Sequence, residues 1–183
     1  GTSPAVRAFI ESRDYAEMQP TKYYYNTPCF RYERPQAGRL REFHQFGVES
    51  FGTPDMMADA EVIALASDFL TKVGIEDIEL RINSVGCREC RPVYRKALQD
   101  YLQPYYGELS ETSKTRFESN PMRIIDSKDP HDQEIAQAAP DMLDYLCDDC
   151  RAAFKELKSN LDAMGIRYTI DHVIVRGLYY YTK

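Results

Sequence analysis

No stretch of this 183-residue chain approaches the ~20 consecutive apolar residues of a bilayer span, and the N-terminus lacks the charged-then-apolar layout of a secretory signal. Positive charge is also short. Lys and Arg number 23 against 29 Asp and Glu, a net charge of −6, so no global basic field gathers nucleic acid or an anionic membrane. A polyanion must find a local basic patch. Cysteine is scarce and odd in number, five in all, too few to staple a chain this long; the thiols fit a reducing compartment or metal ligation. No internal repeat or low-complexity tract is visible. These absences point to a cytoplasmic protein without a membrane partner. The 43% hydrophobic and 28% charged residues supply one core, or one core with a small appendage, which excludes a disordered tail. The chain begins with Gly1 rather than Met, and residues 177–183 lie inside an aromatic run, so both ends read as cut.

Ser3 before Pro4 predicts a capped helix start, with Val6, Phe9 and Ile10 as its buried stripe. The tyrosine-rich run 22–34 reads as a strand, Pro35-Gln36-Ala37-Gly38 as a break, and residues 40–51 as a second strand returning antiparallel. Asp55 can cap a helix in which Val62, Ala66, Phe69 and Val73 recur at helical spacing until Gly74 stops it. Ile78, Leu80 and Ile82 alternate with charged residues as a half-buried strand. From Cys87 to about Gly165 the pattern is helical, with Val93, Ala97, Tyr101 and Tyr105 along one segment. A longer segment opened by Pro140 carries Leu143, Cys147, Cys150, Phe154, Leu157 and Leu161. A β pattern returns at residues 168–176, with Val173 and Val175 on one face.

The paired strands carry the chemistry. Alternation sends Phe30, Tyr32, Phe46 and Val48 one way and Arg31, Glu33, Phe43, Gln45 and Glu49 the other. Residues 31–42 hold four arginines against two glutamates, a local positive excess inside an acidic protein. Arginine's planar fork suits phosphate and carboxylate, and Phe43 among these groups offers a stacking surface. A solvated face crossed by ordinary, energetically weak salt bridges accounts for the same spacing equally well.

Residues 29–49, CFRYERPQAGRLREFHQFGVE, closely resemble the second signature motif of class II aminoacyl-tRNA synthetases in its histidyl form. Residues 175–183, VRGLYYYTK, resemble the histidine-specific signature of histidyl-tRNA synthetases. Gly1-Thr2 resembles the end of that family's amino-acid-contacting loop, and residues 86–95, GCRECRPVYR, the opening of its insertion domain. The resemblance implies an α+β fold, a class II synthetase-like antiparallel sheet flanked by helices with a helical insertion. Residues 1–85 would belong to the catalytic core, 86–165 to the insertion domain, and 166–183 to the core's return.

The resemblance also implies residue roles. Arg31 and Arg176 would be the catalytic cations, Arg31 on the α-phosphate of ATP and Arg176 between it and the amino acid's carboxylate. Glu33 would read the adenine amino group, Phe43 would stack on the base, and Arg39, with Arg41, would lie near the triphosphate or the tRNA end. Thr2, Gln45 and Glu49 would bind around histidine's α-amino group, with Tyr180 and Tyr181 lining the imidazole pocket. The implied reaction makes histidyl-adenylate from histidine and ATP, with Mg2+ accompanying ATP, and transfers histidine to tRNA(His). The family is homodimeric. His44, His131 and His172 are expected to be structural or solvent-facing.

Three departures bear on activity. Tyr179 stands where the family signature has an acidic residue. The first motif would lie before Gly1, and the third motif and anticodon-binding domain after Lys183, so the fragment alone is expected to be inactive. A rival reading is a non-catalytic regulatory paralogue acting with ATP phosphoribosyltransferase in histidine biosynthesis. Tyr179 favours it; Gln45, Glu49 and the tyrosine pair favour the synthetase. Cys87 and Cys90 form one C-x-x-C and Cys147 and Cys150 another, together a conceivable four-thiolate Zn2+ site. The second pair equally fits a helix's apolar stripe, and packing is the preferred expectation, with no metal ligands assigned. Arg88, Arg91, Arg95 and Lys96 suit either tRNA phosphate contacts or a charged outer helix face.

Overall fold

In the computed structural model of the chain, which describes residues 1–175, β1 (Thr21–Phe30) and β2 (Glu42–Phe51) pair antiparallel along their whole length. The register runs from Thr21 opposite Phe51 to Phe30 opposite Glu42. The amide of Arg31 still donates to Arg41 O at 2.9 Å, but β1 ends at Phe30 rather than continuing to residue 34. Pro35 has no amide hydrogen and restricts Arg34 before it, so the chain leaves the ladder. Gln36 and Arg39 then exchange amide hydrogen bonds at 3.2 and 2.9 Å across a turn in which Gly38 has φ +72°.

Helix α1 (Thr2–Glu11) begins one residue before the expected Ser3 cap; Gly1 is its N-cap and no side chain caps it. Phe9 stacks on Phe51 with centroids 4.3 Å apart and meets Tyr23 edge-on at 6.2 Å. Ile10, expected in the buried stripe, is exposed, because the aromatic corner of the hairpin engages only the Phe9 side of the helix. Helix α2 (Met56–Lys72) starts as expected, with Asp55 Oδ1 accepting from Met57 N at 2.8 Å, and Gly74 at φ +82° follows it. Its predicted stripe is displaced: Ala60 is buried, whereas Val62, Phe69 and Val73 are exposed. The chain divides within this helix into two compact units, Gly1–Ile63 and Ala64–Lys183.

In the second unit the expected strands shrink to β3 (Arg81–Ile82) and β4 (Thr169–Ile170), which pair in parallel, Arg81 with Thr169 and Ile82 with Ile170. A parallel pair needs a long crossover, and here it is a run of helices: α3 (Cys90–Leu102), α4 (Glu111–Ser119), α5 (Met122–Ile125), α6 (Pro130–Gln137) and α7 (Asp148–Ala163). The buried stripe of α3 is Cys90, Tyr94, Leu98 and Leu102, one residue out of phase with the expected Val93, Ala97, Tyr101 and Tyr105. Val93 is 58% exposed, while Tyr94 is buried with its hydroxyl donating to Pro140 O at 3.1 Å. The long segment expected from Pro140 is two elements. A 3-10 turn at Met142–Tyr145 comes first, and α7 opens after Cys147, whose extended backbone makes it the N-cap. Among the described residues no helix is long and apolar enough to cross a membrane.

Candidate functional site

Antiparallel register puts the odd-numbered residues of β1 and β2 on one face, because Cys29 lies opposite Phe43, Thr27 opposite Gln45, Tyr25 opposite Gly47 and Tyr23 opposite Glu49. Arg31, just past the strand, continues the row. Four of the five residues expected to share a face, Arg31, Phe43, Gln45 and Glu49, therefore do so. Glu33 does not: it lies in the turn, ion-paired with Arg39. The opposite face is exposed at Tyr24, Phe30, Tyr32 and Phe46. His44 is on that side, away from Phe43 and Gln45, and solvent-exposed.

At one end of the row the Arg31 guanidinium lies 4.0 Å from the centre of the Phe43 ring, and its Nε donates to Leu40 O at 2.7 Å. Stacking and one hydrogen bond fix the plane of the fork. Glu33 is committed to Arg39, and among the described residues no carboxylate pairs with Arg31, so the fork keeps its capacity for an anion. Midway, Gln45 Oε1 accepts from Cys29 Sγ at 3.3 Å. Toward the other end the Tyr25 hydroxyl donates to Glu49 Oε1 at 3.2 Å. Burial raises the Tyr25 pKa; a hydrogen bond with Thr2 lowers it and the Glu49 carboxylate raises it, so all three groups meet here. The Tyr25 ring crosses Gly47, where any Cβ would collide with it.

Tyr25, Thr27 and Cys29 were not anticipated as part of this surface. The signal was present: with the turn centred near residue 36, odd residues of both strands must share a face. Arg176, Tyr180 and Tyr181, and the departure at Tyr179, lie outside the described residues. Of the basic residues that open the insert, Arg95 bonds Glu118 O in α4, Lys96 pairs with Asp100 at 3.1 Å and Arg91 Nε donates to Cys87 O at 3.3 Å. Cys90 and Cys150 are buried in the stripes of their helices, as packing predicts, whereas Cys87 and Cys147 are half-exposed, and the Sγ atoms of all four lie within 4.8 Å of one another.

A profile of the family described as Histidyl-tRNA synthetase matches residues 2–183. The chain belongs to the histidyl-tRNA synthetase family. It is 58% identical over 183 residues to the histidine--tRNA ligase of Caldanaerobacter subterraneus subsp. tengcongensis, and 55% identical over 184 residues to that of Clostridium perfringens. Both matches cover 100% of this chain and 44% of the relative, so the chain spans less than half the length of these ligases. Among solved structures, the apo histidyl-tRNA synthetase of S. aureus superposes with a TM-score of 0.74 at 36% identity, over 100% of this chain and 42% of that one. A protein titled ATP phosphoribosyltransferase regulatory subunit/histidyl-tRNA synthetase, from Bacillus halodurans, shares the fold with a TM-score of 0.62 at 20% identity, over 100% of this chain and 51% of that one. The mixed helix and sheet architecture with its antiparallel hairpin is that of the histidyl-tRNA synthetases.

Proposed function

We propose that this chain is the part of a cytoplasmic histidine--tRNA ligase that binds ATP and histidine, and that the whole, homodimeric protein makes histidyl-adenylate and passes histidine to tRNA(His). The observation that carries this reading is the single sheet face with a cation and aromatic ring at one end and a carboxylate, hydroxyl and amide toward the other. Phe43 and Glu49 are six residues apart on β2, about 20 Å of strand, the scale of an extended nucleotide carrying an amino acid. Residues 1–85 form the core part and 86–165 the insertion; the parallel pairing of Arg81–Ile82 with Thr169–Ile170 supports that division by bringing the insert's flanks together.

The chemistry follows from the groups in the row. Histidine's carboxylate attacks the α-phosphorus of ATP, whose pyrophosphate departs with its magnesium ion. Arg31 meets the charge that grows on the α-phosphate oxygens, and Arg176 supplies the second cation. Phe43 stacks on adenine, Glu33 accepts from its amino group, and Arg39, released from Glu33, turns to the outer phosphates. Glu49, Gln45 and Thr2 hold the α-ammonium group, with Tyr25 fixing the carboxylate of Glu49. Tyr180 and Tyr181 border the imidazole. The ribose hydroxyl of tRNA then attacks the activated carbonyl, releasing AMP. Positioning and charge stabilisation do this work without a covalent enzyme intermediate, and the isolated chain, spanning 44% of these ligases, is not expected to turn over by itself.

The test is ATP–pyrophosphate exchange in the full-length parent. Exchange that requires histidine supports the reading; stimulation of ATP phosphoribosyltransferase without exchange supports the regulatory alternative. The 58% and 55% identities to proteins named as ligases favour the former. Within the active protein, Gly47→Ala pushes the Tyr25 ring aside and removes its hydrogen bond to Glu49. A net hydrogen bond of about 0.5–1.5 kcal/mol corresponds to an increase of about 2–13-fold in the KM for histidine, with kcat little changed. Steady-state exchange kinetics read both values.

A further inference from the structure

We propose that Cys87, Cys90, Cys147 and Cys150 form a structural four-thiolate zinc site that clamps the opening of the helical insert to its last helix. The four sulfur atoms lie within 4.8 Å of one another, with Cys87 at 3.5 Å from Cys90 and 3.8 Å from Cys147. A tetrahedron of thiolates at the usual Zn–S distance of about 2.3 Å has sulfur–sulfur edges of about 3.8 Å. The cysteines are free, and their spacing is far from the ~2.05 Å of a disulfide. It is also tighter than an iron–sulfur cluster requires, since those thiolates are spread around several irons.

Packing does not explain the arrangement. Cys90 and Cys150 are buried, but Cys87 and Cys147 are half-exposed, so the cluster reaches the surface and a metal has a way in. The backbone is shaped around sulfur. Cys90 is the first residue of α3, while Cys147 is the N-cap and Cys150 the third residue of α7, so two helix N-termini aim their partial positive charge at the thiolates. The amide of Cys147 donates to Cys90 Sγ at 3.1 Å and that of Glu89 to Cys87 Sγ at 3.4 Å, offsetting the negative charge that four thiolates leave on a divalent ion. Gly86 turns the chain at φ +61°, and a Cβ there would stand 2.9 Å from Cys90 Cβ and run into Met142. Four protein ligands close the coordination sphere, which makes the site structural rather than catalytic. The two C-x-x-C pairs are joined across nearly the whole insert, so the ion would hold together segments that no strand links.

The 183-residue chain, purified under reducing conditions without chelators, should carry about one zinc per chain by elemental analysis. A mercurial should release that zinc as it modifies Cys87, Cys90, Cys147 and Cys150. Anaerobic replacement by Co2+ should give the intense visible bands of tetrahedral cobalt thiolate. Cys29→Ser should retain zinc, and the double variant Cys87→Ser/Cys147→Ser should fall below about a tenth of it. If the double variant does not fold, zinc content and the cobalt spectrum of the unmodified chain decide alone. Metal-free protein with no cobalt spectrum, iron in place of zinc, or two disulfides by mass would each overturn the proposal. None of these readouts depends on aminoacylation, so the site stands or falls separately from the proposed activity.

Discussion

Replacing Arg31 with alanine in the full-length protein lowers the kcat of histidine-dependent pyrophosphate exchange by about 10²–10³-fold, the usual cost of removing one preorganised donor from a developing anion. The fold should hardly notice. Arg31 contributes a stack on Phe43 and a hydrogen bond to Leu40 O, and a half-exposed cation–π contact is worth only about 0.5–1 kcal/mol. Thermal unfolding therefore separates the two effects: activity collapses while the melting temperature moves little. Arg31→Lys should restore only a small part of the rate, because an ammonium is a point charge that neither lies flat on the ring nor presents two parallel donors. Exchange rates for the three proteins at saturating ATP and histidine check the prediction. Near-normal kcat in the alanine variant would remove Arg31 from the reaction centre.

The second large effect concerns stability. Asp132 is fully buried in the insert, where Oδ1 accepts from Ser110 N at 3.0 Å and Oδ2 from the hydroxyls of Ser110, Ser113 and Ser127 at 2.7, 2.7 and 2.8 Å. Asp132→Ala leaves buried hydroxyls with no acceptor and a void among them, a loss of about 3–5 kcal/mol. Burial pushes the Asp132 pKa up, but the bonds from Ser110, Ser113 and Ser127 outweigh it and bring the pKa down to about 2 from an ordinary 3.8. A depressed pKa stabilises the folded state above the unfolded value and is lost as pH falls through the folded one. Its contribution of about 2 kcal/mol should thus be intact above pH ~4 and disappear between about 4 and 2. Asp132→Asn, with one acceptor oxygen for four donors, should be less stable at neutral pH and should lose the part of the acid dependence that falls in this window. Urea melts of the isolated chain at several pH values measure both slopes.

The hairpin was legible in the sequence because two local signals agreed: alternating side chains in both strands and a Pro-Gln-Ala-Gly break between them. Once the turn was placed, the common face of Arg31, Phe43, Gln45 and Glu49 followed from parity alone. Glu33 leaves that face because the last ladder contact is Arg31 N with Arg41 O, and alternation does not carry on into the turn. In α3 both stripes recur at helical spacing, so periodicity alone does not choose between them; the buried one takes Leu98 and Leu102 together with Tyr94, whose hydroxyl reaches Pro140 O so that its ring is buried without leaving a polar group unpaired. The convergence of the cysteines was not legible, because it depends on how α3 and α7 pack and on Cys147 standing outside its helix as the cap. Spacing within each pair was visible; the distance between pairs was not.

The two-rung parallel ladder has a consequence for how this region can change over evolutionary time. Arg81–Thr169 and Ile82–Ile170 fix where the polypeptide departs and where it comes back, and the pairing makes no use of what happens in between. Closing a longer excursion costs only about 0.6 kcal/mol for each doubling of its length. As far as loop closure is concerned, changes in the length of chain between the rungs are thus thermodynamically cheap, while a single-residue slip at either rung is not.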